Sequence, residues 1–343
     1  MEKVFAILSK RHEEILKISA AVRNLNCDCK IFYADTFADY HSYLQKKIDQ
    51  ILQRKLSAEY LKKISAQAKK EIAEYNPDKI LFINCPLSDD TVQEIISGSH
   101  KYYFYFVDPV ENIELLQREK NISCIGLYDI NSYKKLRELG VQNIKFLPLG
   151  YNCDYENVPQ VEKDIDIFWI GTPNKARLKI LSAVAKEAKA NGWNFQCYSP
   201  FWGWQYFWKK WIFQVKYPEL YHCAVNQELS SKEVAEKYSR SCICLNIHNY
   251  NIDSFNPRTY EILASGSFLL TDERKEYDGL VPGEDLAYYS SVENLPEKIE
   301  YYLQHDEERE KIAKCGMLKI IGKRTVSESI GQLFDTPCDN KFF

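Results

Sequence analysis

The chain has 343 residues, a net charge of −3, 45% apolar and 27% charged residues. That length suits about two globular domains, and the near-neutral balance carries no footprint of a nucleic-acid partner, whose binding domains are basic. No apolar stretch nears the ~20 residues needed to span a bilayer. The run Val4–Leu8 is too short for a signal-peptide core, so the expected location is cytoplasmic, with contact at the inner face of the membrane as an option.

In chain order, Val4–Leu8 is a short apolar run without helical period and reads as a buried strand. Helical spacing follows over Glu13–Asn24, a strand over Ile31–Tyr33, and a charged helical stretch, read as two helices, from Asp39 to Ala73. Strands are expected at Ile80–Ile83, Tyr102–Val107, Cys124–Leu127 and Ile144–Leu147, with helices at Thr91–Ile96, Ile113–Arg118 and Ser132–Leu139 between them. After Leu147-Pro-Leu-Gly-Tyr151 a polar, acidic stretch to Lys163 reads as a linker. Alternation then restarts. Strands are expected at Ile165–Ile170, Phe195–Tyr198, Cys242–Ile247, Phe268–Thr271 and Leu286–Tyr289. Helices are expected at Lys175–Asn191, Pro257–Ala264, Leu295–Gln304, Glu307–Cys315 and Val326–Phe334. Two tandem units of alternating strand and helix imply two parallel sheets, each covered on both faces. A two-domain sugar-binding protein or a dehydrogenase would share that outline. Of the eleven cysteines, Cys27/Cys29 and Cys242/Cys244 are CxC pairs, without the spacing of a zinc site, and no metal is expected.

Chemistry concentrates in Leu245–Asp272. A strand ends there, a polar loop follows, and Pro257 opens a helix whose unpaired amides can hold a phosphate. Arg258 in that first turn can add a bidentate phosphate contact, and Glu261, three residues on, shares its face and can accept two ribose hydroxyls. The alternative is a plain surface pair of Arg258 with Glu261. Asp253 can be a turn residue, His248 a structural histidine, and Lys175 and Arg177 solvated helix charges. Asp108, ending the aromatic strand, can orient an acceptor hydroxyl, serve as its base, or cap the helix after Pro109.

Asp253 and Glu261, seven residues apart between them, resemble the carboxylate pair of retaining GT-B glycosyltransferases, and Glu261-Ile-Leu-Ala-Ser-Gly266 resembles that motif's second half. The longer string from Leu245 through Thr271-Asp272 is similar to the CgeB-like, spore-maturation type of glycosyltransferase. So are Phe146-Leu-Pro-Leu-Gly-Tyr151, Asp166-Ile-Phe-Trp-Ile-Gly171 with Arg177, and the tail from Pro282-Gly283 to Ile312-Ala313. The resemblance implies a GT-B fold, two Rossmann-like domains with parallel sheets facing across a cleft. Their expected bounds are 1–155 for the acceptor domain and 156–325 for the nucleotide-sugar domain, with the 326–343 helix and tail packing back on the first. It implies transfer of a hexose-type sugar from a UDP-, GDP- or dTDP-linked donor to a surface glycan, glycolipid or protein acceptor, retaining and metal-independent, with no cofactor. Glu261 would bind the ribose. Ser254, Phe255, Asn256 and Arg258 would hold the diphosphate, with Gly171, Thr172, Lys175 and Arg177 opposite, and Tyr198 would also contact the donor. Asp253, Asp108 and His248 are the catalytic candidates. A catalytically silent glycan- or partner-binding protein and a sugar-nucleotide epimerase of the same architecture are the alternatives. The segment 200–216, with four of the six tryptophans and three lysines, can form a lid, stack on sugar or make peripheral membrane contact.

Overall fold

The structure, a computed structural model, describes residues 1–34, 58–84, 87, 89–110, 113–202, 207–248 and 252–335. The first of the two helices expected in Asp39–Ala73 lies outside these residues. The chain divides into two compact units, Met1–Asn152 with Thr325–Phe343, and Cys153–Arg324.

The first unit runs β1 (Glu2–Leu8), α1 (Lys10–Leu16), α2 (Ile18–Asn24), β2 (Cys27–Tyr33), α3 (Ala58–Tyr75), β3 (Lys79–Ile83), α4 (Asp89–Ile96), β4 (Lys101–Phe106), α5 (Ile113–Arg118), β5 (Ile122–Leu127), α6 (Ile130–Glu138) and β6 (Ile144–Phe146). Its six-stranded sheet has the order β2-β1-β3-β4-β5-β6, parallel throughout. The strands carry near-continuous apolar runs because both faces are covered; Val4 to Leu8 and Ile80 to Ile83 are fully buried.

The single helix expected over Glu13–Asn24 is two. Lys17 takes a left-handed conformation, φ 51°, and ends α1. The Glu13 carboxylate then accepts the Ser19 amide at 3.1 Å and the Ser19 hydroxyl, satisfying a donor at the start of α2. Periodicity cannot reveal such a break, since both pieces keep the same apolar spacing.

The second unit opens on a 3₁₀ turn, Cys153–Tyr155. It continues as β7 (Ile165–Ile170), α7 (Lys175–Asn191), β8 (Phe195–Tyr198), α8 (Phe207–Lys216), α9 (Pro218–Cys223), β9 (Ala224–Val225), α10 (Ser231–Ser239), β10 (Ser241–Asn246), α11 (Pro257–Ala264), β11 (Leu269–Asp272), β12 (Ala287–Tyr289), α12 (Leu295–Gln304) and α13 (Asp306–Ile320). The sheet order is β12-β11-β10-β7-β8-β9, again parallel. In chain order the strands step outward one way from β7 through β8 and β9. They then return to β10 on its other side. The gap between β7 and β10 is therefore the topological switch point, where open α/β sheets bind ligands at the carboxyl ends of the strands.

Helix α14 (Val326–Phe334) belongs to the first unit. Ser329 Oγ donates to the Pro148 carbonyl at 2.8 Å, and Phe334 packs on Tyr103 with ring centroids 4.8 Å apart. Cys29 and Cys244 are buried in strands, and burial pushes each thiol up to about 12, which leaves them inert as nucleophiles.

Candidate active site

Strand β10 ends at Asn246, and its side chain ties down the loop that follows. Asn246 Nδ2 donates to Asn256 Oδ1 at 3.0 Å, and Asn256 Nδ2 returns a bond to Asn246 Oδ1 at 3.1 Å. Asn256 is the N-cap of α11, its side chain accepting from the Thr259 amide, and Pro257 holds the first helical position. The amides of Phe255, Asn256 and Arg258 find no acceptor among the described residues. Phe255 itself is 3% exposed and packs against His248, Tyr260 and Tyr277. Its ring is an anchor for the loop, so any contact with a ligand falls to the backbone. Ser254 is buried as well.

Arg258 is half-buried and, among the described residues, makes no ion pair or hydrogen bond. A surface pair with Glu261 does not form. The guanidinium instead stands over Gly171, at the end of β7: a Cβ on that glycine would lie 3.4 Å from Arg258 Cζ and 3.0 Å from the Trp169 ring. The two loops flanking the switch point thus meet at a residue without a side chain.

Arg177 lies one turn into α7 and is buried, not solvated. Its Nε donates to the Ile247 carbonyl at 2.9 Å and its Nη1 to the Thr172 carbonyl at 3.0 Å, which pins the guanidinium at the same strand ends. Burial first, and the Arg258 charge second, bring its pKa down to about 10. It remains charged at neutral pH. Lys175 and Thr172 are exposed nearby in sequence, and Tyr198 ends β8 with its ring 5.7 Å from Phe168.

Glu261 lies on α11 one turn beyond Arg258 and is 8% exposed. Burial raises its carboxyl to about 7, against the opposing pull of Arg258 and the Tyr155 hydroxyl. Tyr155 and Tyr238 flank it, ring centroids 6.1 Å apart, and the Tyr238 hydroxyl is buried without a partner among the described residues.

His248 is 4% exposed. Its Nδ1 and its amide both reach Asp272 Oδ1, at 2.8 and 2.9 Å, and its Nε2 faces Thr259 Oγ1 at 3.4 Å. Burial lowers its pKa. Burial also works against Asp272, but the His248 bonds and Arg274 outweigh it and hold that carboxylate well below the usual range. A neutral ring donating from Nδ1 to an ionised Asp272 fits both directions. His248 thereby ties β10 to β11 and positions the loop; its ring is enclosed by protein on both nitrogens. Arg274 donates to Asp272 Oδ2 at 2.7 Å, while its Nε and Nη2 are buried without a partner among the described residues. Asp253 pairs with the exposed Lys275 at 3.3 Å.

Asp108 belongs to the other unit. Its carboxylate accepts from Asn84 Nδ2 at 2.6 Å and faces His12 Nε2 at 3.6 Å, while Asn84 Oδ1 accepts the amides of Val107 and Asp108. His12 Nδ1 meets Ser9 Oγ at 2.8 Å, and Asn84 Nδ2 lies 3.2 Å from its Nε2. Ser9 and His12 follow β1 and Asn84 follows β3, so this cluster marks the switch point of the first sheet. His12, Asn84, Tyr155, Tyr238, Asp272 and Arg274 escaped the sequence reading. Among the described residues no group of His, Cys, Asp or Glu is placed to hold a metal ion, and no helix is long and apolar enough to cross a membrane.

Residues 177–335 match a family described as glycosyl transferase-like. The spore protein CgeB of Bacillus subtilis is 25% identical over 241 residues, 66% of this chain and 72% of that protein. Among solved structures, sucrose-phosphate synthase from Thermosynechococcus elongatus superposes with a TM-score of 0.71 at 12% identity, covering 97% of this chain and 98% of that one. Anabaena HepE, in complex with UDP-glucose, gives 0.63 at 10% identity over 97% and 98%. The two six-stranded parallel sheets are those of the GT-B fold.

Proposed function

We propose that this chain, a glycosyltransferase of the GT-B architecture by its family match and its fold, moves a hexose-type sugar from a UDP-, GDP- or dTDP-linked donor to a hydroxyl. The acceptor is a surface glycan, glycolipid or protein, the reaction runs in the cytoplasm, and the anomeric configuration is retained without a metal. One observation carries the donor site: two guanidinium groups, Arg258 and Arg177, stand at the switch point of the second sheet with no carboxylate paired to either among the described residues, and a buried acid lies one turn behind the first.

A nucleoside diphosphate completes that arrangement. Its phosphates meet Arg258, Arg177 and the unpaired amides at the start of α11, beside a glycine over which the Arg258 guanidinium closes. The ribose hydroxyls donate to Glu261. As the bond from the anomeric carbon to phosphate breaks, negative charge grows on the diphosphate, and the fixed cations stabilise it where a metal ion otherwise would. The acceptor oxygen bonds to the anomeric carbon, and its proton passes to the departing phosphate oxygen. Asp253 lies at the sugar end of the loop. The UDP-glucose complex of HepE supports a UDP-linked donor.

A second reading is inversion, favoured by the His12–Asp108–Asn84 cluster. With His12 Nδ1 protonated toward Ser9, Nε2 is the basic nitrogen and can take the acceptor proton directly. The anomer of the product, read by NMR, separates the two.

The test of the donor site is thermal stabilisation by UDP, GDP, dTDP and their sugars. Arg258→Ala and Glu261→Ala abolish the stabilisation if the site is as described, and stabilisation unchanged in both variants overturns it. Isomerisation of a sugar nucleotide with no acceptor present would make the chain an epimerase, and nucleotide binding without transfer to any acceptor a silent binding protein.

A further inference from the structure

Helix α8 carries apolar residues on two opposite faces. Phe213 is 7% exposed and sits in an aromatic cluster with Phe201, Trp202 and Tyr217, its ring 5.2 to 5.3 Å from each. That contact fixes the helix to the unit and accounts for one face. On the other face Trp208, Trp211, Ile212 and Val215 are 49%, 65%, 46% and 64% exposed. At about 100° per residue these four fall within an arc of roughly 100° centred opposite Phe213. No other part of the described surface gathers four large exposed apolar side chains on one element.

One flank of this stripe is basic. Lys209 and Lys216 lie along one side, Lys210 turns back over the Tyr221 ring, 5.8 Å from its centroid, and the ten residues Phe207–Lys216 contain no acid. An apolar stripe edged by lysines matches a surface that is apolar beneath and negatively charged above. A protein partner of ordinary composition offers no such layering, whereas an anionic phospholipid leaflet does. Tryptophan suits the boundary, with an apolar ring system and one polar N–H. Lysine stems can lie along the apolar layer while their heads reach phosphate.

We propose that α8 is a membrane-docking helix, lying in the plane of an anionic bilayer surface with Trp208, Trp211, Ile212 and Val215 inserted and Lys209 and Lys216 on the headgroups. None of these side chains is among those placed at the nucleotide site, so the docking is tested independently of the transferase reading. It would bring the enzyme to lipid-linked or membrane-bound acceptors.

The experiment is co-sedimentation of the full chain with phosphatidylcholine vesicles, with and without about one-third phosphatidylglycerol. Binding is expected on the anionic vesicles and is weakened at high salt. Trp208→Ser with Trp211→Ser, and separately Lys209→Glu with Lys216→Glu, each reduce partitioning about tenfold or more. Both tryptophans are exposed, so the melting temperature and its shift with nucleotide stay unchanged and confirm intact variants. Three results overturn the proposal. One is an unmutated chain that stays in the supernatant with anionic vesicles. Another is binding that survives the tryptophan changes. The third is a dimer by light scattering that Trp211→Ser dissociates, which would make a second copy the occupant of the stripe.

Discussion

At the switch point of the second sheet, Arg258 has no partner among the described residues, Arg177 bonds only to carbonyls, and Glu261 is buried near the middle of its titration. At the switch point of the first sheet, Ser9, His12, Asn84 and Asp108 satisfy one another, and Asp108 stands 69% exposed at the side chain. One edge holds two guanidinium groups with no salt-bridge partner among the described residues. The other holds a relayed set of hydrogen bonds that a hydroxyl can join with small cost. The first pattern suits tight capture of a charged nucleotide, the second transient positioning of a neutral acceptor.

The contrast is broken most directly at Arg258. Arg258→Ala is expected to weaken nucleotide binding about a hundredfold, measured by calorimetry, because it removes charge-assisted bonds to phosphate. Glu261→Ala should follow it closely. If either change spares binding but reduces turnover alone, the division of labour drawn here fails. His12→Ala sharpens the comparison from the other side. Transfer is expected to fall about tenfold with nucleotide-dependent stabilisation unchanged; a loss of about a thousandfold together with an inverted product would make His12 the base.

A smaller effect follows from pH. Glu261 must be ionised to accept ribose hydroxyls, and its pKa is raised to about 7 in the free protein. Nucleotide affinity should therefore rise up to about tenfold per unit as pH approaches 7 from below, and level off above it. The stability of the unliganded protein moves oppositely. Between the unfolded carboxyl value of 4.5 and about 7 the folded state binds the extra proton, so stability falls as pH rises through that window. Glu261→Gln should flatten both profiles, in binding titrations and in thermal melts. The mildest change is Gly171→Ala. The added methyl meets the Trp169 ring at 3.0 Å and the Arg258 guanidinium at 3.4 Å. Both are side chains that can give slightly, so a loss of about threefold to tenfold in nucleotide affinity is expected with little change in melting temperature.

Much of this was legible in the chain. Apolar runs without period marked the strands, since a parallel sheet covered on both faces needs no polar alternation. Pro257 marked the helix start, and the helix runs Pro257–Ala264 as the sequence indicates. Other features were hidden for identifiable reasons. Arg177 reads as an ordinary helix charge until the fold brings the Ile247 carbonyl to it, seventy residues away in sequence. His12 and Asp108 come together only because β1 and β4 both flank β3 in the sheet. Tyr155 lies in the polar stretch that reads as a linker, yet the 3₁₀ turn buries it beside Glu261. Helix α10 had a readable signal in the reciprocal bonds of Ser230 and Glu233, which the strand-centred reading passed over.

The half-titrated state of Glu261 has a thermochemical consequence. Near neutrality a fraction of the free molecules holds a proton there, and seating a ribose expels it into the medium. The heat of nucleotide uptake at pH 7 should accordingly vary with the ionisation enthalpy of the buffer, and the slope of that variation counts the protons released per site. At pH 9 the slope should vanish.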